Sequence, residues 1–309
     1  MSEGRRGVPA RVGIAALNLW APGLGLLRTG PVRRAILFLL LGPASLALLV
    51  AYFLFAPTLG FAGYFGAVLI AGGAGFALFV CSVALTWRRS RERSASLPLW
   101  SRWYAILAAA LAAWLISIGM STALLSCYKT YYLPSEAMAP TLEKNDRVVA
   151  AMRNWGALRR GDIILCPVRD TLYIKRLAAL PGDTIAMRGG IVVLNGRAVP
   201  QRFLREEPAP GVERDEEARR LAERFPGEAS EHEIYDLGPS EMDDVAELKV
   251  PPGFVFVLGD HRDRSADSRV PREEMGVGLL RVAEIRGRAL FYYWPWRKMG
   301  LPLAGGSRQ

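Results

Sequence analysis

The sequence predicts a chain of two parts, an N-terminal block of about three transmembrane helices and a mostly antiparallel β domain. Two observations carry the division. Residues 35 to 87 contain no Asp, Glu, Lys or Arg, and residues 103 to 128 contain none either. A bilayer core of about 30 Å takes roughly 20 apolar residues per helix, so the first stretch accommodates two spans and the second one. Beyond residue 128 the composition changes to short runs of β-branched and aromatic residues punctuated by Gly, Pro, Asn and Asp, the pattern of strands joined by tight turns.

Residues 1–34 read as a basic cytoplasmic segment. Within it, residues 12–27 are apolar but broken by Ala21-Pro22-Gly23 and Gly25; this is too short and interrupted for a span and reads as a re-entrant or interfacial hairpin. A fourth span is the alternative, and it would reverse the topology. Residues 35–87 follow as two spans, with Gly60 and Gly63 expected at the turn between them. Residues 88–102 form a basic loop, with Arg88, Arg89, Arg91, Arg93 and Arg102 against Glu92 alone, and residues 103–128 form the third span. Arg5, Arg6, Arg11, Arg28, Arg33 and Arg34 precede the first span. Because positive charge stays on the cytoplasmic side, residues 129–309 are expected on the opposite, extracytoplasmic face.

In that C-terminal part the expected strands are Arg147–Ala151, Asp162–Leu165, Thr171–Leu177, Gly190–Leu194 and Phe254–Leu258. Asn195-Gly196 marks a two-residue hairpin. Residues 205–248 stand apart, with fifteen Asp and Glu against five Arg in a chain of net charge +10. They read as a solvated acidic insertion, with a short polar helix expected from Glu213 to Phe225. The basic excess lies largely beside the spans, where it fits anionic lipid, and nothing calls for nucleic acid. Cys81, Cys127 and Cys166 make no disulfide framework. With His232 and His261 the only histidines, a multi-histidine zinc centre is excluded, and no cofactor is expected.

Three strings carry chemistry. The first is Pro134-Ser135-Glu136-Ala137-Met138-Ala139-Pro140-Thr141-Leu142. The second is Tyr173-Ile174-Lys175-Arg176 with Leu180-Pro181-Gly182-Asp183. The third is Gly259-Asp260-His261-Arg262-Asp263-Arg264-Ser265-Ala266-Asp267-Ser268-Arg269. A hydroxyl nucleophile needs a base to take its proton. A lysine serves only when burial lowers its pKa from about 10.4, and Tyr173, Ile174, Leu177 and Leu180 offer apolar bulk around Lys175.

Together these strings resemble the boxes of bacterial signal peptidase I, a Ser/Lys peptidase, over roughly residues 103 to 296. LexA-like self-cleaving repressors share the Ser/Lys chemistry but lack membrane spans and the long last box. The resemblance implies an antiparallel β domain of signal peptidase type, resting against the membrane. It implies Lys175 as general base, Ser265 as the residue orienting its amine, Ser135 as oxyanion-hole donor, and Asp267 with Arg269 as a supporting ion pair. His261 and Arg264 depart from the family pattern, which has Asn at both places. The largest departure is Ala137, where the family carries its nucleophilic serine.

The expected function is therefore that of a membrane-bound signal peptidase in the bacterial inner membrane, acting on signal-peptide-bearing preproteins at A-x-A-like sites. The secretion translocon is a further expected partner. As written, the chain is an inactivated form or a homologue that binds without cutting; a non-catalytic scaffold on the same fold is the alternative. Attack by Ser135 instead would misplace the oxygen by several ångströms, where about 1 Å already costs about 100-fold.

Overall fold

The structure, a computed structural model, describes residues 7–29, 32–55, 61–91, 102–153, 155–208 and 217–303. The chain divides into two compact units, Met1–Ser126 and Cys127–Gln309.

The first unit is helical: α1 (Val8–Ala16), α2 (Leu24–Thr29), α3 (Val32–Phe55), α4 (Phe61–Arg89) and α5 (Trp103–Cys127). Apolar residues without strand punctuation build the three long helices, and α3 and α4 extend past the charge-free stretch to take in Arg33, Arg34, Arg88 and Arg89. Gly63 lies inside α4 rather than in a turn; Gly60 and residues 92–101 lie outside the described residues. Within α4, Val68–Arg89 is long and apolar enough to cross a membrane, with mean hydropathy 2.3.

The apolar run at 12–27 is interrupted after Leu19, where Gly23 adopts a positive φ of 100°. A buried polar knot holds the break. Asn18 donates to Thr86 Oγ1 at 3.0 Å and accepts from Ser82 Oγ at 2.6 Å and from the Gly23 N–H at 3.0 Å. Such pairing removes the cost of burying an amide among apolar residues. Arg11 lies over the Trp87 ring, 3.9 Å from its centroid.

The second unit contains fourteen strands among the described residues. The first seven are β1 (Tyr128–Tyr132), β2 (Arg147–Ala151), β3 (Ile163–Val168), β4 (Thr171–Ala179), β5 (Thr184–Arg188), β6 (Ile191–Leu194) and β7 (Arg197–Ala198). The others are β8 (Gln201–Pro208), β9 (Glu217–Glu223), β10 (His232–Asp236), β11 (Val245–Lys249), β12 (Phe254–Leu258), β13 (Leu280–Arg281) and β14 (Gly287–Trp294). They form a seven-stranded sheet ordered β1-β2-β14-β3-β4-β12-β13, a three-stranded sheet β10-β9-β8 and a four-stranded sheet β11-β5-β6-β7. Neighbouring strands pair antiparallel throughout.

The strands expected from sequence form with small shifts at their ends. Asn195 and Gly196 take φ values of 52° and 75° and join β6 to β7, as a type I′ turn requires. Three larger apolar clusters and a small one at Ala139, Ala218 and Tyr235 fill the unit. Ile185, Met187, Leu194, Phe225 and Phe256 form one, Leu142, Val148, Ile163 and Leu165 another, and Ile164, Leu177, Val255 and Val257 a third.

Two expectations about the insertion are corrected. Glu217–Glu223 is strand β9, paired with β8 and β10, not part of a polar helix; residues 213–216 lie outside the described residues. Glu-Ala-Arg-Arg-Leu-Ala-Glu has good helix formers, yet pairing on both edges and burial of Ala218 and Leu221 override that weak preference. Nor is the insertion a solvated excursion, because Glu223, Phe225, Glu228 and His232 are buried. The acidic residues were expected in water because the sequence does not display the arginines that receive them.

Candidate functional site

Strand β4 places Lys175 in the large sheet opposite Ile164 of β3. Its side chain is buried, with the residue 3% exposed. The amine lies 5.5 Å from the centroid of the Tyr173 ring and makes no hydrogen bond or ion pair among the described residues. Burial pushes the amine below the ordinary lysine value, while the charge of Asp267 acts in the opposite direction. The environment therefore favours the neutral, proton-accepting form over what water would allow.

The loop after β1 is closed by its own backbone. Leu133 donates to the Asp146 carbonyl at 3.0 Å, Asn145 donates to that of Leu133 at 2.8 Å, and Leu142 to that of Met138 at 2.7 Å. Met138 and Leu142 are anchored in the core, so the residues between β1 and Met138 are held at its edge. The carbonyl of Ala137 accepts from the His261 N–H at 3.2 Å. Among the described residues its own N–H and the Ser135 hydroxyl donate to no group.

The third string lies behind this loop. Gly259 is packed so tightly that a Cβ would overlap the Ser265 side chain and approach the Ala137 oxygen to 2.6 Å. This close approach explains the glycine. Ser265 is buried, and its hydroxyl has no partner. Asp267 is fully buried; it accepts from Gly259 N–H at 2.9 Å and from Arg269 Nε and Nη2 at 2.9 and 2.8 Å. Burial would raise its pKa, but Arg269 and Lys175 hold the carboxyl below the ordinary value. Arg269 also donates to the carbonyls of Met242 at 3.3 Å and of Arg262.

A cleft of about 390 Å³ unites the strings. Ser135, Ala137, Met138, Tyr173, Lys175, Arg264 and Ala266 are among the residues of its wall. Ser135, Ala137 and Lys175 thus meet at one opening, whereas Ser265, Asp267 and Arg269 support it from behind.

A buried ionic network, unremarked in the sequence, ties the frame together. Arg176, beside Lys175, pairs with Asp260 through Nε at 2.7 Å and Nη2 at 2.6 Å. It also donates to Thr141 Oγ1 at 3.1 Å and to the Gly161 carbonyl at 3.0 Å. One guanidinium therefore touches all three strings. From the insertion, Glu228 lies 3.6 Å from Arg176, and Glu223 pairs with Arg262. His232 stands between them, with Nδ1 3.0 Å from Glu228 Oε2 and Nε2 3.4 Å from Glu223. Arg176, Asp260 and Thr141 lay within the quoted strings and could have been suspected; Glu223, Glu228 and His232 had no sequence signal beyond the acidic composition.

In the first box, Tyr292 donates from its hydroxyl to the Thr141 carbonyl. In the second, Asp183 accepts from Arg160 Nη2 at 2.7 Å, Asn195 at 2.9 Å and the Leu180 N–H at 2.8 Å. Of the two departures from the family pattern, His261 is buried with neither ring nitrogen bonded. Burial pushes its pKa down to about 4, so it is neutral. Arg264 lies on the cleft wall.

The family model described as signal peptidase, peptidase S26, matches residues 69–294. Signal peptidase I of Bacillus licheniformis is 31% identical over 176 residues, covering 56% of this chain and 80% of that protein. Signal peptidase I S of Bacillus subtilis (strain 168) is 30% identical over 174 residues, again 56% and 80%. Signal peptidase I of Leptolyngbya laminosa is 30% identical over 205 residues, covering 60% and 80%. A solved signal peptidase I from Enterococcus faecalis V583 is 26% identical, covers 43% of this chain and 97% of that one, and superposes with a TM-score of 0.25. The family match spans most of the chain and all three strings that build the cleft: this protein belongs to the signal peptidase family, peptidase S26.

Proposed function

We propose that this chain is a signal peptidase I-type protein of the bacterial inner membrane that engages preproteins at A-x-A-like sites but does not cut them. The observation that carries this reading is Ala137 at the mouth of the cleft, between Ser135 and Lys175. A methyl group cannot attack a carbonyl, so no acyl-enzyme forms at this position. Loss of the nucleophile alone costs on the order of 10⁶ in turnover in a comparable serine peptidase.

The other roles remain available. Lys175 is the base, burial holding its amine below the ordinary lysine pKa; Ser265, whose hydroxyl has no partner, is free to take up the amine and orient it; Asp267 and Arg269 form the supporting pair. Ser135 Oγ and the Ala137 N–H are the donors for a carbonyl oxygen, and one such donor is worth roughly 3 to 4 kcal/mol in an active site. In this chain they bind a scissile carbonyl without turning it over. Helices α3, α4 and α5 are the three spans, and residues 8–29 sit at the interface as a broken hairpin. The arginine-rich segments face the cytoplasm and anionic lipid, and the cleft faces outward, where preproteins and the translocon meet it. A non-catalytic membrane-anchored binding or scaffold protein on the same fold is the second reading; the departures at His261 and Arg264 accord with a natural homologue that retains signal-peptide binding without cutting.

Two measurements test the proposal. Photo-crosslinking from Ser135 should capture a preprotein with an A-x-A site, uncleaved, and lose it when both alanines become bulky. Reporter fusions after residue 129 should be active only outside the cytoplasm. No capture favours the scaffold reading, and cytoplasmic fusion activity contradicts the topology.

A further inference from the structure

The cleft offers hydrogen-bond donors and a buried amine, and no carboxylate stands among the described residues of its wall. Lys175 is in that wall, and Glu136 lines only the adjoining pocket that shares Ser135 and Ala137. Asp267, the nearby acid that most affects Lys175, is already committed to Arg269 and the Gly259 N–H. Among the described residues the Lys175 amine therefore lacks a dedicated counter-ion, and the Ser135 hydroxyl and Ala137 N–H have no acceptor.

An intact preprotein presents a neutral amide to these donors. A cleaved signal peptide ends instead in a carboxylate, with two oxygens and a full charge. One oxygen takes the Ser135 and Ala137 donors; the other falls where a serine hydroxyl at position 137 would stand, toward Lys175. Alanine leaves that place open, whereas a serine oxygen would crowd it. Building on the reading that the cleft takes signal peptides, we propose that Ala137 makes it a receptor for peptides ending in a small residue with a free C-terminal carboxylate, the chemical form of a released signal peptide.

The charge on Lys175 gives the proposal a pH signature. A bound carboxylate stabilises the ammonium form, so binding takes up a proton wherever the free amine is neutral. Affinity is greatest below the lysine pKa of the empty site and falls as pH rises from there to the pKa of the complex.

Fluorescence anisotropy on the full chain in detergent tests this with one labelled peptide ending in Ala-x-Ala, made as the free acid and as the C-terminal amide. The acid is expected to bind at least about tenfold more tightly, the scale of a hydrogen bond to a charged group. The preference should shrink as pH rises through the lowered pKa of Lys175 toward the ordinary lysine value. It should also be lost in Ala137→Ser and in Lys175→Met. Equal binding of acid and amide overturns the inference while leaving signal-peptide recognition standing, and binding of neither overturns both. Equally tight binding of an acid ending in Trp overturns the requirement for a small terminal residue.

Discussion

Arg176 and Asp260 form a bidentate ion pair, 2.7 and 2.6 Å, at the centre of the C-terminal unit, and both are buried. Arg176 lies in β4, next to Lys175, and Asp260 follows β12, the strand paired with β4. The pair thus locks the lysine strand to the segment that carries Ser265 and Asp267. Removing one partner leaves the other charged and buried, which costs about 3–5 kcal/mol. Asp260→Ala should therefore lower the unfolding free energy of the C-terminal unit by about that amount in denaturant titrations of the detergent-solubilised chain. The double variant Arg176→Met/Asp260→Leu should recover a large part of the loss. Additive losses in the double variant would show that the pair is not a unit.

His232 connects the insertion to this network and makes stability pH-dependent. Burial and Arg176 act to lower its pKa, but contacts with Glu223 and Glu228 outweigh them and raise it. A raised histidine pKa stabilises the fold fully below the unfolded value of about 6.5, and the contribution is lost as pH rises through the folded pKa. The melting temperature should fall over that interval above about pH 6.5, and His232→Gln should flatten the profile there. An unchanged profile in the variant would assign the dependence to another group.

Gly259 is fixed by contact rather than by conformation. A methyl group there meets the Ser265 side chain and the Ala137 carbonyl, and crowding of this kind costs typically about 1–3 kcal/mol. Gly259→Ala should destabilise the unit by at least that much and weaken signal-peptide capture, measured by melting and by crosslinking. Gly196→Ala, on the β6–β7 turn, would strain a positive φ of 75° and lower stability, while leaving capture unchanged in the folded fraction.

Cys166 lies in β3 opposite Tyr173. Burial pushes its thiol up to about 12, with Lys175 and Arg272 opposing. Since thiolate is the reactive form, iodoacetamide at about pH 8 should leave Cys166 unlabelled in the native chain and label it after denaturation. The comparison uses a Cys81→Ser/Cys127→Ser background, and rapid native labelling would contradict the buried placement.

The strands flanking the site were legible because short β-branched runs and the Asn195-Gly196 turn encode local geometry. The cleft residues were legible because three strings occur in a fixed order. What escaped was long-range. Glu217–Glu223 looks helical when read locally, and only its neighbours β8 and β10 make it a strand. Glu223 and Glu228 read as solvent-facing until Arg262 and Arg176, far away in sequence, are brought against them. In the sequence His261 is legible only as a departure from the Asn of the family pattern. In the structure it packs edge-on against Tyr235, a residue of the insertion, 5.7 Å between ring centroids.

The central claim is that the frame is complete except for the nucleophile. The most direct measurement compares the purified chain with Ala137→Ser on a preprotein reporter bearing an A-x-A site. The account predicts cleavage at that site by the serine variant alone, abolished again by adding Lys175→Ala. Cleavage by neither chain would contradict an intact catalytic frame, and cleavage by the alanine chain would place the nucleophile elsewhere, with Ser135 the first residue to test.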